Sequence, residues 1–277
     1  MIKIKDGTVK SLYYIILIIY AVSIFFPILL MLLTSLKSNK EIFTNPYGLP
    51  YIFNLDNYIK LIKISNYLVY FRNSIIVAVT SIFLILIFSS LASFVIARYR
   101  FIGNRFLYFY FIAGLIIPIK LGTIGILKTM ITLHLFDNIA SLVIVNVAMG
   151  IPFGVFVLTD FIRMIPEELS NSARIDGCSE PKIFYKIILP LIRPALAAVA
   201  IINFIPIWND FWFPLILIRS DHMKTIPLAT ALLYGQYETN FGLIFAVLSM
   251  ASLPVILFYL ILSRQFIKGL SSGALKG

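Results

Sequence analysis

Long apolar runs separated by short polar connectors dominate the pattern of this chain. A helix needs about 20 apolar residues to cross the hydrocarbon core of a bilayer, where only helices and closed barrels satisfy their backbone hydrogen bonds. Six runs are long enough, so the pattern predicts an all-α, polytopic membrane protein with six transmembrane helices. The predicted spans are Leu12–Leu36, Asn73–Ala97, Arg105–Gly125, Ile139–Ile162, Pro194–Ile218 and Phe241–Ser263.

The first run follows a basic amino-terminal segment. Lys3, Lys5 and Lys10 precede apolar residues from Leu12 to Leu33, an arrangement that resembles a signal peptide. The run is too long for a signal peptide, and it lacks a small-x-small cleavage site. We therefore predict that it is a retained first span.

Basic residues in the connectors predict the orientation. Short cytoplasmic connectors attract Lys and Arg, whereas a long loop such as residues 37–72 has less influence. With the amino terminus inside, most short inner connectors are basic, and six spans place both termini in the cytoplasm. The inner bases include Arg98, Arg100, Arg105, Arg163, Arg174, Lys182, Lys186, Arg193, Arg264 and Lys268.

Five prolines fall within the predicted spans. Each removes one backbone donor, so neighbouring helices or side chains must compensate. Proline is common in membrane helices, and this explanation is favoured over the alternative that the kinks let a pathway open and close. The prolines are Pro27, Pro118, Pro152, Pro206 and Pro254.

Composition strengthens the membrane prediction. The chain of 277 residues is 60% hydrophobic and 13% charged, with a mean hydropathy of +0.97, whereas soluble domains are about a quarter charged. The net charge of +11 does not favour a nucleic-acid partner, because the bases lie between apolar runs rather than on one solvated face. A single cysteine, Cys178, allows no disulfide within the chain, and with His134 and His222 it gives no zinc-binding spacing, so no metal is expected.

One long inner loop, about residues 163–193, mixes acidic and basic side chains. Pro166 suits the first turn of a helix, and Gly177 suits its end because glycine readily adopts a positive φ. The pattern therefore predicts a helix, a turn and a second helix on the membrane surface. The small residues Ser172 and Ala173 favour a helix face that enters a groove on another protein.

This loop resembles the conserved cytoplasmic loop of binding-protein-dependent ABC importer permeases. The family pattern is Glu-Ala-Ala, three residues, Gly, nine residues, Ile, one residue and Leu-Pro. Asn171 replaces the usual glutamate, which weakens any charge-assisted contact to a neutral hydrogen bond, and Glu167 or Glu168 are candidate substitutes. The alternative is a generic amphipathic loop. The matching positions here are Asn171, Ser172, Ala173, Gly177, Ile187, Leu189 and Pro190.

The resemblance covers nearly the whole chain and is greatest to carbohydrate importers, in particular the maltose-type second permease subunit. It implies that the carboxyl-terminal tail, residues 265–277, is a second contact with the ATPase through Gly269, Gly273 and Gly277. A frayed terminus is the alternative. The supporting stretches are YFRNSIIVAV, FVIARYRFIGNR, IPIWNDFWFPLIL and RQFIKGLSSGALKG.

The resemblance further implies one permease domain over residues 1–277 that forms half of a sugar pathway in a bacterial or archaeal plasma membrane. Its implied partners are a second homologous permease in a heterodimer, a dimer of ATPase subunits, an extracytoplasmic sugar-binding protein and membrane lipid. The chain lacks GxxxxGK[ST], so it is expected to be non-catalytic, with ATP and Mg bound by the ATPase. The implied coupling residues are Glu168, Asn171, Ser172, Ala173, Asp176, Gly177, Ile187, Leu189 and Pro190.

A polar and aromatic cluster in the fifth predicted span is the candidate solute contact. Asp210 is an intramembrane acid, and Asn203 lies seven residues earlier on the same predicted helix face. With Trp208 and Asn209 they offer an aromatic plane beside hydrogen-bonding groups, which suits a sugar. The alternative is that the polar groups tie this helix to a neighbour while tryptophan marks the membrane interface.

Other functions fit the sequence less well. A secondary transporter would need an ion site and usually two related halves, but no internal repeat is visible. A membrane-embedded enzyme would show paired acids, a metal-spaced histidine set or an activated nucleophile. An ABC permease for a non-sugar solute stays open, because all such permeases share the loop pattern.

Overall fold

A computed structural model describes residues 7–64, 66–236 and 240–274, and this part of the chain is helical without a β-strand. Short 3₁₀ turns occur at Ile119–Gly122 and Asp221–Met223, and a π-helical turn occurs at Phe184–Ile188. The α-helices are α1 (Gly7–Ser35), α2 (Asn39–Thr44), α3 (Asp56–Ile64), α4 (Tyr67–Arg98), α5 (Asn104–Ile116), α6 (Thr123–Thr132), α7 (Ile139–Arg163), α8 (Glu167–Ile175), α9 (Glu180–Ile183), α10 (Leu189–Leu191), α11 (Arg193–Trp208), α12 (Trp212–Leu217), α13 (Ile226–Gln236) and α14 (Phe241–Ala274).

Four of these helices, α1, α4, α7 and α14, are individually long and apolar enough to cross a membrane. They contain the second, fourth and sixth predicted spans, and the first up to Ser35. Two bent pairs are long and apolar enough only when both members are counted together: Asn104–Ile116 with Ile119–Thr132, and Glu180–Leu191 with Arg193–Trp208. The described residues therefore contain four spans, or up to six if each pair is one span. The all-helical membrane architecture is therefore confirmed, while the count of six stays a prediction.

The third predicted span, Arg105–Gly125, is not one straight helix. Helix α5 ends at Ile116, and the chain turns by 86° before α6. Pro118 explains the break, because proline has no N–H and disfavours helical geometry in the residue before it. Ile117 is accordingly extended, with φ −71° and ψ 120°.

The prediction of one continuous helix over the fifth span, Pro194–Ile218, was wrong. Helix α11 ends at Trp208, and a carboxylate oxygen of Asp210 accepts hydrogen bonds from the backbone N–H groups of Trp212 (3.0 Å) and Phe213 (3.4 Å). Those bonds begin the separate helix α12. Asn203 and Asp210 therefore do not share one helix face. On its other side, α11 meets the segment Glu180–Leu191 at 73°.

The chain divides into two compact units, Met1–Tyr67 with Thr230–Leu253, and Leu68–Ala229 with Pro254–Gly277. In the first unit, none of the most apolar part of α1 is buried. Asn57 organises the segment that follows α1, since its amide donates to the carbonyls of Ser35 (2.9 Å) and Lys37 (3.0 Å). Lys37 is itself fully buried and donates to the Asn45 carbonyl at 2.6 Å.

In the second unit, α4, α7 and α11 pack closely around small residues. A Cβ added at Gly154 of α7 would lie 2.6 Å from Cβ of Ser89 in α4, and one at Gly150 would lie 2.7 Å from Oδ1 of Asn203 in α11. Ser93 also donates across the interface to the Val155 carbonyl at 3.3 Å. Small side chains let membrane helices approach in this way.

Candidate functional site

The predicted helix–turn–helix lies within residues 165–194, called here the surface segment. Glu167 and Glu168 occupy the first turn of α8 and Arg174 its last, which complements the helix dipole at both ends. At the turn, Gly177 has φ +77°, and the Cys178 N–H donates to the Ala173 carbonyl at 2.9 Å. The predicted positive φ at Gly177 is therefore confirmed, and it ends α8 in the manner of a glycine C-cap.

The two faces of α8 differ in exposure. Ser170 and Ala173 are buried against the chain's own helices, at 1% and 8% exposure. Leu169 flanks this buried face and is 46% exposed, whereas Ser172 and Ile175 lie on the exposed side of α8, and Ile175 is 87% exposed. Helical periodicity places Ala173 with Ser170 on the inward side. A docking contact by Ala173 stays a prediction.

The remaining predicted coupling residues are divided between the two arms of the surface segment. Exposed side chains in α8 and at its end are Glu168, Asn171 and Asp176. In the second arm, Ile187 belongs to the π-helical turn and Leu189 and Pro190 to α10, and all three are half-buried.

A polar network fixes the turn between the arms. Arg174 donates two hydrogen bonds to the Glu180 carboxylate, at 2.7 and 3.2 Å, and a third to Oδ1 of Asn171 at 2.7 Å. The hydroxyl of Tyr99, just beyond α4, donates to the same carboxylate. The hydrogen bonding to Glu180 raises the pKa of Arg174, so this guanidinium stays charged. Sequence reasoning missed the pairing, although opposite charges flanking Gly177 were a usable signal.

Both arms of the surface segment also contact α4. The guanidinium of Arg98 donates to the Ile165 carbonyl at 2.8 Å, just before α8. In the second arm, Ile183 and Ile188 are fully buried, and the Phe184 ring packs on Phe94 of α4 with centroids 5.3 Å apart. Both arms are thus anchored to α4 while one face of α8 stays exposed.

The candidate solute cluster has a different character. Trp208 is 3% exposed and stacks on Phe204 with centroids 5.7 Å apart, while Phe71 meets it edge-on at 6.1 Å. The Asn203 amide is buried and donates to the Val199 carbonyl, and the exposed Asn209 donates to the Ile205 carbonyl, each at 2.9 Å. Three of the four predicted side chains thus contact their own or a neighbouring helix.

Trp208 and Asp210 line a cavity of about 10 Å³ with the polar residues Ser74, Asn146 and Thr225. Among the described residues, one Asp210 carboxylate oxygen and the Thr225 hydroxyl are buried there without a hydrogen-bond partner. That volume accommodates roughly one water molecule and is far too small for a sugar ring. A solute contact by these residues stays a prediction.

The predicted tail contact falls mainly on the end of α14, which continues to Ala274 and contains Gly269 and Gly273. Gly277 lies outside the described residues. An ATPase contact by this tail stays a prediction.

Comparison with protein families matches residues 89–271 to the family described as binding-protein-dependent transport system inner membrane component. The arabinooligosaccharides transport system permease protein AraQ of Halalkalibacterium halodurans is 34% identical over 91% of this chain and 91% of that protein. The diacetylchitobiose uptake system permease protein NgcG of Streptomyces coelicolor is 31% identical over 98% and 91%. In fold, the chain resembles a bacterial ABC transporter involved in alginate import, with a TM-score of 0.79, 22% identity, and coverage of 96% and 99%.

Proposed function

We propose, since this chain belongs to the binding-protein-dependent transport system inner membrane component family, that it is a membrane-spanning permease subunit of an ATP-driven oligosaccharide importer. Relatives that span nearly the same length serve arabinooligosaccharides and diacetylchitobiose, so a short oligosaccharide is the proposed substrate class. The permease itself is non-catalytic. ATP and Mg are bound by a separate ATPase dimer.

The exposed face of α8 is the observation that supports an ATPase contact. Leu169 and Ile175 are large apolar side chains, and Ser172 between them leaves a shallow, narrow surface. A short helix whose apolar side chains are this exposed fits a groove on a partner protein. We assign this face, rather than the inward Ala173, to the contact with the ATPase.

The network at Gly177 explains how such a contact transmits force. Arg174 and Glu180 join α8 to α9, and α9 continues through the π-helical turn and α10 to α11. Because the pair is partly exposed, its contribution to stability is modest, and its main effect is to hold the geometry of the turn. Closure of the ATPase dimer would therefore move the surface segment as a unit and displace α11, the step that alternating access requires.

The same proposal sets the orientation and the other partners. The surface segment faces the cytoplasm, and both termini lie on that side. A second homologous permease completes the pathway as a heterodimer, and an extracytoplasmic sugar-binding protein delivers the solute. The membrane is that of a bacterium or an archaeon.

Co-purification of a tagged chain from its native membrane tests the assembly. A second permease and an ATPase should accompany the chain, and replacing Ile175 with Asp should deplete the ATPase at least tenfold, because it places a charge in the apolar contact. The matched control is Ile52→Asp, which changes a similarly exposed isoleucine in the loop between α2 and α3 and should leave ATPase recovery unchanged. Equal ATPase recovery with Ile175→Asp and the unaltered chain would contradict the contact.

A further inference from the structure

A strongly basic cavity of 600 Å³ lies where α4 ends and α5 and α8 begin. Arginines reach it from three places: the end of α4, the turn after it with the first residues of α5, and the end of α7. Glu167 is the acidic side chain among the residues that line it, so positive charge dominates. The basic lining residues are Arg98, Arg100, Arg105 and Arg163.

The hydrogen-bonding capacity of these arginines is not used up within the described part of the chain. Arg98 donates from one terminal nitrogen to the Ile165 carbonyl, but its Nε is buried without a partner. Among the described residues, neither Arg100 nor Arg105 has an acidic oxygen within 4.0 Å. Arg163 makes a long contact with Asp160, at 3.5 Å, and its guanidinium lies 4.9 Å from the centre of the Tyr108 ring. A buried guanidinium donor is costly unless it meets an acceptor, and an anionic oxygen is the strongest acceptor available.

The backbone around the cavity also favours an anion. Helices α5 and α8 both begin at residues that line it, Asn104 and Glu167, and neither start has a side-chain cap. Their positive dipole ends therefore add to the field of the arginines. The turn is held in place by Asn104, whose amide donates to the carbonyls of Ile96 (3.0 Å) and Tyr99 (2.7 Å).

The surroundings of the cavity distinguish a lipid from a soluble anion. Ile102, at the tip of the turn after α4, is fully exposed, and Phe106 is 74% exposed. Tyr99 lines both this basic cavity and an apolar cavity of 390 Å³ that Leu91 and Val95 also line. Basic side chains with exposed apolar residues at the end of a membrane helix are the features that bind an anionic headgroup with its acyl chains beside it.

We propose that this cavity binds the phosphate headgroup of an anionic phospholipid. Arg98, Arg100 and Arg105 donate to the phosphate oxygens, and an acyl chain lies along the apolar surface beside Tyr99. The bound lipid bridges the end of α4 to the start of α8, so it braces the surface segment that we assign to ATPase coupling. Only this last consequence rests on the proposed function, because lipid binding itself does not require the ATPase.

Lipid binding to the detergent-purified complex gives the direct test, with phosphatidylglycerol as the probe and phosphatidylcholine as the neutral comparison. The double variant Arg100→Gln/Arg105→Gln should lower phosphatidylglycerol affinity at least about tenfold, since each removed base near a headgroup contributes on the order of 1 kcal/mol. The matched control is Lys182→Gln/Lys186→Gln, which removes the same charge from exposed positions in the second arm of the surface segment and should change affinity less than about twofold.

Three outcomes would overturn the proposal: equal loss of affinity in both double variants, equal binding of both lipids, or displacement of phosphatidylglycerol by millimolar inorganic phosphate. The last would identify a soluble anion as the ligand. ATPase coupling in nanodiscs is a separate readout. If lipid binding follows the arginines but no ATPase co-purifies, the proposed function fails and the lipid site stands; if the ATPase couples normally without selective lipid binding, only the lipid site fails.

Discussion

Two regions that the sequence singles out for function, the surface segment and the Trp208–Asp210 break, differ in how they use their side chains. In the surface segment, polar contacts from Arg174 fix the backbone, and the apolar side chain of Ile175 is left exposed. At the break, the aromatic side chain of Trp208 packs inside the chain. We propose that the first region meets another protein, whereas the second holds helices of the same chain together.

This contrast gives different expectations for substitutions. A change at the surface segment should alter coupling while the fold persists, because its functional face carries little internal packing. A change at Trp208 should lower the stability of the helix bundle before it affects recognition of the solute. The two classes are separable by measuring stability and coupled uptake on the same variants.

The largest effect on stability is expected for Trp208→Ala. Removing a buried, stacked indole should cost about 3 kcal/mol, because the surrounding helices cannot close the cavity completely. Thermal unfolding of the purified complex measures this loss. Trp212→Ala is the matched control, since Trp212 is 39% exposed and its indole N–H donates to the Thr123 hydroxyl at 3.0 Å. A stable Trp208→Ala protein with weakened solute affinity would instead support a direct solute contact.

The next largest effect is expected for Gly177→Val. A β-branched residue at φ +77° costs about 1–3 kcal/mol of backbone strain, although in the described part of the chain no atom beyond the adjacent residues lies within 4 Å of an added Cβ. The turn should distort and separate the arms, so coupled sugar uptake in proteoliposomes should fall at least tenfold while ATP hydrolysis continues.

Two variants sharpen the test of Gly177. Gly177→Asn should be milder, because asparagine tolerates the left-handed conformation. Gly122→Val should leave coupling intact, since Gly122 has equal free space for a Cβ but an ordinary φ of −82°. If uptake falls equally in Gly122→Val, backbone conformation at the turn is not the cause.

The smallest effect is expected for Asp137→Asn. Asp137 lies between α6 and α7, and it accepts backbone hydrogen bonds from Arg219 and Ser220, which follow α12, each at 2.8 Å. Partial desolvation is the largest single influence and favours the neutral acid, but the hydrogen bonds from Ser220 and Arg219 together outweigh it and lower the pKa of Asp137 below 3.8. A carboxylate whose pKa is lower in the folded than in the unfolded state stabilises the fold above about pH 4. This stabilisation is lost as the pH falls through the folded-state pKa.

Melting curves at different pH values test this contribution. Asp137→Asn should melt less than about 4 °C below the unaltered chain at pH 7, because the carboxylate is only partly buried. The difference should shrink as the pH approaches 3. A difference that is unchanged between pH 7 and pH 3 would show that the charge of Asp137 does not contribute.

Local features of the fold were predictable from the sequence, and long-range contacts were not. The long apolar runs predicted α1, α4, α7 and α14, and Gly177 predicted the turn, because each depends on nearby residues. The break after Trp208 was missed, since Asp210 looked like one more residue of an apolar run although its carboxylate starts a new helix. The Tyr99 contact with Glu180 joins distant positions, which no local pattern specifies.

The close approach at Gly150 and Gly154 restricts where the protein can flex. Because Gly154 leaves no room for even one added carbon against Ser89, α4 and α7 cannot slide past each other without a steric clash. These two helices should therefore move as one rigid body during a transport cycle. The conformational change is then concentrated at the hinges on either side, the bend at Pro118 and the bend at Ile192, where the helical hydrogen-bond ladder is already interrupted.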